Sequence, residues 1–588
     1  MDKAILKQKK TFAKRFSLGY SLALLMLICS FEIWAQGTWS PLKNASPLKN
    51  AGVMILLSDG TVMAKSGNKS SDSMSANWLR LSPDNKGSYL NGTWSDIAPM
   101  KYSRLYFSSQ VLMDGRVYVA GGEYGSGIST AEIYDPLKNT WTEITTPGIK
   151  ISDANSEILS DGRILQEMVG NNKTIIYDPK KNIYTNGPTP SFSMNESSWL
   201  KLRDNSILFV GMNTKYTLRY IPQTNRWVHD ANVPISLYDP YGSETGAAFL
   251  LPNGKGFFMG ATGHTAIYTP TGDSLKGTWE KGPEIPDSLS APDAAAAMMV
   301  NGKILCAFSP LPDSAEHFHK PTYFFEYDYL SNSFQPIDAP DGNGSLNMAC
   351  YSTNMLDLPD GNVLYASQGS HQYYIYNPNA APLEEAKPKL NEIVQVNCDS
   401  FYVTGTLFNG ISEGASYGDD WQMNSNYPLI RIKTDTSLTY LRTFNWNRTG
   451  LQTGDLIDTT YFSLSSNFVA AQYQFELVVN GVSSASLPFS PIPCHQIADR
   501  GLLKNNQLLV FPNPAFTQTT LMFQLNEIGE YRVNVIDMLG RLVLEELDVA
   551  NTLGINYHTM DVSHLAAGEY IVLLQSNHDL MKSKLLVK

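Results

Sequence analysis

A chain of 588 residues with 43% apolar side chains is long enough for three or four domains and can fill their cores. Its 43 Gly, 32 Pro and 11% aromatic residues favour strands and turns, and no long helical period runs through it. The formal net charge of −11 becomes about −15 once residues 1–35 are set aside, so nucleic acid and anionic membranes, which are held by Lys and Arg clusters, are not expected as partners.

Lys3, Lys7, Lys9, Lys10, Lys14 and Arg15 precede the apolar run 18–33, and Ala35 stands at a plausible cleavage position. This reads as a secretory signal peptide over residues 1–35, leaving no transmembrane segment once it is removed. Four cysteines remain, Cys306, Cys350, Cys398 and Cys494, without the close pairing of a zinc site. Cys398 and Cys494 bracket one domain; pairing and burial as free thiols both stay open.

The stretch 104–144 contains a repeating unit. Ser108–Met113 is a strand, Asp114-Gly115 suits a two-residue type I′ hairpin, Arg116–Ala120 returns, Ala131–Tyr134 is stopped by Asp135-Pro136, and Thr140-Trp141-Thr142 is a fourth strand. The turn recurs at Asp59-Gly60, Asp161-Gly162, Asp204-Asn205, Asn253-Gly254, Asn301-Gly302 and Asp360-Gly361, which makes seven hairpins. The fourth-strand aromatic recurs at Trp94, Tyr184, Trp227, Trp279 and Phe334, and the seventh unit lacks it. Thr38-Trp39-Ser40 has that pattern and no unit of its own, so the two ends of the array are expected to meet in one sheet and remove an open edge. Turns about 43 to 59 residues apart fit four-stranded kelch-like blades. The fold expected over 36–379 is therefore all-β, a seven-bladed β-propeller.

Residues 380–389 read as a linker. From 390 to 492, short alternating runs such as Ser400–Thr404, Leu429–Ile432 and Gln474–Val479 signal an immunoglobulin-like β-sandwich. A second linker, 493–506, leads to a small β-domain over 507–588.

Two resemblances follow from these residues. The pieces 403–410, 417–420 and 426–429, with Ser103–Ser109 ahead of Met113–Arg116, are similar to the galactose-oxidase-like proteins, which implies a kelch propeller followed by their all-β domain. Val510–Pro514, Tyr531–Asp537, Leu539-Gly540-Arg541 and Ala567–Tyr570 resemble the C-terminal sorting domain of the type IX secretion system of Bacteroidetes. That implies a small β-sandwich sorting domain, the type IX machinery as a partner, and a secreted or outer-surface location.

The first resemblance implies copper held by two tyrosines and two histidines, with one tyrosine bonded to a cysteine. Tyr106 and Tyr351 correspond to the two phenols. Ser352 stands where a histidine follows the second tyrosine, Ala51 takes the place of the cysteine, and no histidine lies between Gln372 and Cys494. With three of the five absent, copper is not expected, and neither is any other cofactor.

On propeller topology, the position eight residues before each turn opens on one face, the mouth. Counting back gives Ala51, Tyr106, Asp153, Glu196, Thr245, Asp293 and Ser352, with Glu244 and Tyr351 adjacent. Tyr106, Asp153, Glu196, Glu244, Asp293 and Tyr351 are the candidate ligand-binding residues, since aromatic and acidic side chains together suit sugars. His264, His317, His319 and His371 fall on neighbouring loops. His317 and His319, near Asp313 and Glu316, are a weak metal candidate, against which stands a solvated loop with accidental spacing. Three functions compete: a non-catalytic binder of an extracellular glycan or other ligand, a metal-dependent carbohydrate oxidase or hydrolase with a divergent site, and a protein-interaction scaffold.

Overall fold

The hairpins set the architecture. At Asp114-Gly115 the Gly115 amide donates to Leu112 O and the Leu112 amide to Arg116 O, both at 2.8 Å, and Gly115 is left-handed at φ +80°. Asp114 is not left-handed, so this is a type I turn closed by a glycine bulge and not the expected type I′ turn. The aspartate supplies the reason: its Oδ1 accepts the Arg116 amide at 3.0 Å, an Asx bond that leaves only one residue to turn left-handed. Asp59, Asp161, Asp204, Asn253, Asn301 and Asp360 make the same bond at 2.9 to 3.2 Å.

The computed structural model describes residues 36–588 apart from 149, 153, 170–171, 273–274, 397–398, 418–424, 452–453, 455, 465–471, 492–506, 512, 516–517, 526–527, 551–553, 577–578 and 588. The leader, Asp153, Cys398 and Cys494 lie outside the described residues. Cys306 and Cys350 are buried free thiols.

Seven antiparallel units follow one another, five of four strands and two with a fifth, from Lys49–Leu56 as the first inner strand to Thr353–Asp357 as the last. The seventh unit has Thr38–Pro41 as its fourth strand, with Trp39 opposite Tyr376. Fourth-strand aromatics pack on the third strand: Trp141 on Tyr134, Trp227 on Tyr220 and Trp279 on Tyr268, with ring centroids 5.0 to 5.3 Å apart. Several indoles also tie a unit to the one before. Trp141 donates to Ala98 O, Trp227 to Pro188 O and Trp39 to Asp338 O. Trp94 of the first unit donates to Asn44 O, just past Thr38–Pro41 of the seventh. Further in, Asn354 of the seventh inner strand donates to Asn50 Oδ1 of the first. Among the described residues no helix is long and apolar enough to cross a membrane.

Two further sheets, one ordered around Ser400–Thr406 and one around Tyr473–Val479, enclose a core of Phe401, Phe462, Phe475, Leu477 and Phe489. This second domain rests on the hairpin ends of the propeller. The Thr443 amide donates to Ser58 O, the Trp446 amide to Met113 O, and Thr449 Oγ1 to Leu159 O. One segment goes further. Glu413–Gly414 pairs antiparallel with the inner strand Ala248–Leu250, and Ser416 exchanges both backbone bonds with Trp199, at 2.7 and 3.0 Å. The inner strands of the fourth and fifth units thus take this finger as an added strand. The last domain packs two sheets around its own core of Phe523, Tyr531, Val533, Val572 and Leu574. It meets the second domain through Met522 against Val396 and Tyr402.

Candidate functional site

In three units the residue eight positions before the turn carries an unusual backbone. Tyr106, Glu196 and Asp293 share a left-handed conformation, with φ of +52°, +50° and +48°. For a residue with a Cβ that costs about 1–2 kcal/mol, and such strain gathers at functional sites. All three line a cavity of about 400 Å³ at the propeller mouth, within the usual range for ligand pockets.

Rings form its walls. Tyr106 and Tyr124 stand edge to face, 6.3 Å apart, and Phe318 packs on Tyr351 at 4.6 Å. Tyr106 is fixed by polar contacts: its hydroxyl donates to Asp72 Oδ1 at 2.7 Å and accepts from Gln368 Nε2 at 3.1 Å, while Gln368 Oε1 accepts the Asp72 amide. Asp72 and Glu123 add two carboxylates to the wall. Among the described residues no Lys or Arg lines the cavity.

The floor is acidic. One carboxylate oxygen from each of Glu196, Glu244 and Asp293 lies within 4.8 Å of the others. Tyr417, from the second domain's finger, donates its hydroxyl to Asp293 Oδ1 and stands 3.4 Å from Glu196 Oε2. Burial, and then the Glu196 charge, push the Asp293 carboxyl well above the carboxylate range, while bonds from Tyr417 and with Glu244 pull it back. Beneath, burial pushes the Glu167 carboxyl up to about 8, against the Asn155 amide and with the Glu196 charge. So crowded an acidic floor holds protons at neutral pH or takes up a cationic or hydroxyl-bearing group.

The cavity brings together Tyr106, Glu196, Glu244, Asp293 and Tyr351 of the six residues named from sequence; Asp153 is the position outside the described residues. Ala51 and Ser352, where the copper set would have its cysteine and a histidine, are buried and hold no metal-binding group. The histidines fall elsewhere. His319 Nε2 bonds Asp313 Oδ2 at 3.0 Å, His264 bonds Glu284, His371 bonds Ser46 O, and the His317 ring lies against Gly242. Among the described residues neither His317 nor His319 joins a group of three metal-binding side chains. Phe318 between them is the residue that reaches the mouth. Asp72, Glu123, Tyr124 and Phe318 lie on loops between second and third strands, whose length varies from unit to unit, and Tyr417 comes from the second domain, so counting back from the turns does not reach them.

Residues 105–148 match the family described as "Kelch motif", and residues 509–588 match "Secretion system C-terminal sorting domain". The chain therefore carries a kelch repeat and a type IX sorting domain, which directs export to the cell surface or extracellular space. Kelch-like protein 26 of Danio rerio is 46% identical over 52 residues, covering 9% of this chain and 8% of that protein. Among solved structures, a fungal alcohol oxidase of the AA5 family in complex with copper covers 77% of this chain and 99% of its own, at 14% identity and TM-score 0.47. A streptogramin B lyase covers 59% and 99%, at 13% identity and TM-score 0.40.

Proposed function

We propose that this exported protein is a non-catalytic carbohydrate-binding protein whose ligand enters the propeller mouth. The observation that carries this reading is the lining: four rings, Tyr106, Tyr124, Phe318 and Tyr351, beside carboxylates and with no base among the described residues. Rings offer flat apolar faces to the C–H side of a sugar, and carboxylates accept its hydroxyls. An acidic mouth favours neutral or amine-bearing glycans and repels uronic, sialic or sulfated ones.

One observation weighs against catalysis: three of the five residues of a copper-radical set are absent from their positions.

The test is calorimetric titration of the mature chain with neutral, amine-bearing and acidic oligosaccharides. Saturable binding is expected for the first two classes, weakened on the order of tenfold or more in the Tyr106→Ala, Tyr351→Ala double variant, since each lost ring contributes roughly 1 kcal/mol. No saturable binding to any class, or binding indifferent to the double variant, overturns the reading.

A second reading has one observation in its favour. The three floor carboxylates are near enough to share a divalent cation, which would make the mouth metal-dependent and open the way to a divergent carbohydrate enzyme. Metal retained near one per chain after dialysis, and lost in Glu244→Gln, selects that reading over the first.

A further inference from the structure

Below the mouth, the finger is anchored by three charged side chains that the binding site does not use. Lys201, on the inner strand of the fourth unit, donates to Glu157 Oε1 at 2.8 Å, Ile158 O at 3.2 Å and Glu413 Oε1 at 2.9 Å. These contacts use all three donors of an ammonium. The side chains are 1%, 6% and 8% exposed for Lys201, Glu157 and Glu413. Glu413 Oε2 has no hydrogen-bond partner, and Glu413 lines a small chamber of about 70 Å³. That is room for about two waters at roughly 30 Å³ each.

The groups facing Glu413 are few. The third unit gives Glu157, the fourth Lys201, and the second unit the neutral Ser109 and Gln110. The second domain gives Asn426, Thr449, Trp446 and Tyr427, whose phenol donates to Leu56 O. Two carboxylates therefore meet one ammonium. With both ionised the chamber holds an unbalanced buried charge; with a proton on Glu413 Oε2 it is neutral, and that oxygen can donate to water while Oε1 stays on Lys201.

We propose that Glu413 and Lys201 form a proton-dependent latch between the second domain and the propeller, which holds Tyr417 beneath the mouth while Glu413 is protonated and loosens when it ionises. The path from latch to mouth is short. Glu413 and Gly414 pair with Leu250 and Phe249, the Ala415 amide donates to Ala248 O, Ser416 pairs with Trp199, and Tyr417 then reaches Asp293. The latch would thereby tune the mouth, a consequence that rests on the mouth being the binding site.

Burial pushes the Glu413 carboxyl up to about 7, with the Lys201 charge pulling it down and the Glu157 charge pushing it up. The docked segment thus keeps a proton that a released one gives up near pH 4.5. The latch is tightest below that pH, weakens as pH rises towards 7, and is constant beyond.

The experiment is hydrogen exchange at the Ala415 and Ser416 amides of the mature chain at pH 5 and pH 7.5, corrected for intrinsic rates. In wild type their protection is expected to fall at least about tenfold between the two. In Glu413→Gln it is expected to stay level. Glu157→Gln is expected to stay level too, because Glu413 then has Lys201 to itself. Equal wild-type protection at both pH values, or a fall in either variant as large as in wild type, overturns the latch. No ligand enters the measurement, so the latch and the glycan reading succeed or fail separately.

Discussion

Tyr417 is the residue on which the mouth most depends outside the propeller. Tyr417→Phe keeps the ring and removes the hydroxyl between Asp293 and Glu196, so a loss of about 1–3 kcal/mol in urea unfolding is expected. Asp293, deprived of a bond that pulls its carboxyl down, is expected to titrate higher still, which a carboxyl-labelled NMR titration reads. Glu167 gives the pH counterpart. Its carboxyl stands at about 8 in the folded chain, above the ordinary carboxylate value, so the stability it contributes is whole below about pH 4.5 and is lost as pH rises to 8. Glu167→Gln is expected to flatten the fall in the urea midpoint over that window; an unchanged slope refutes the assignment. The repeat made five of the mouth residues legible, because the eighth and ninth positions before a turn are a fixed place in every unit. Tyr417 was not, since its contact with Glu196 spans 221 residues. Phe318 was hidden for another reason: the histidines on either side carried the recognisable chemistry while the ring carried the contact.

At the level of the element, the turn and the closing strand are the two places where one change should matter. Gly115 has φ +80°, and a Cβ there would sit 2.6 Å from Ser58 Oγ. Gly115→Ala is expected to cost about 1–2 kcal/mol in urea unfolding. Trp39 packs on Phe324, Tyr365 and Tyr376 and donates to Asp338 O. Being only half-buried, it should lose about 2–3 kcal/mol as Trp39→Ala, somewhat less than a full core aromatic. Deleting 36–41 also strips the partner from Tyr374–Asn377 and leaves an open edge, so oligomers in size-exclusion chromatography are the expected outcome; a monodisperse product would show that the seventh unit tolerates three strands. Hairpins were readable because Asp-Gly between apolar runs is a local signal. Their turn type was misjudged because the Asx bond lies in side chains, which dihedral preference alone does not count. Glu413–Gly414 was invisible: two residues carry no period, and only the propeller's inner strands make them a strand.

On the scale of the whole molecule, the domains differ in how far they depend on one another. The second domain is tied to the propeller through the finger and through bonds at Ser58, Met113, Asp114 and Leu159, and Tyr427 and Trp446 belong to the same apolar cluster as the first unit's strands. Separating them would leave buried carbonyls at this seam without their donors, each costly to leave unpaired. The sorting domain has its own core and meets the second domain at a small apolar contact and the Tyr461–Thr520 bond. Calorimetry of residues 36–588 is therefore expected to give one large transition for propeller and second domain together, and a separate smaller one for the sorting domain. Truncation at residue 506 should abolish the smaller transition and leave the larger within a few degrees, since few contacts cross that boundary. Truncation at residue 389 should do the opposite, lowering the propeller's midpoint or preventing its folding, because it removes the strand that the inner strands of the fourth and fifth units pair with. A propeller that melts at the same temperature without its second domain would mean that the finger decorates the fold, and the mouth's dependence on Tyr417 would then be local.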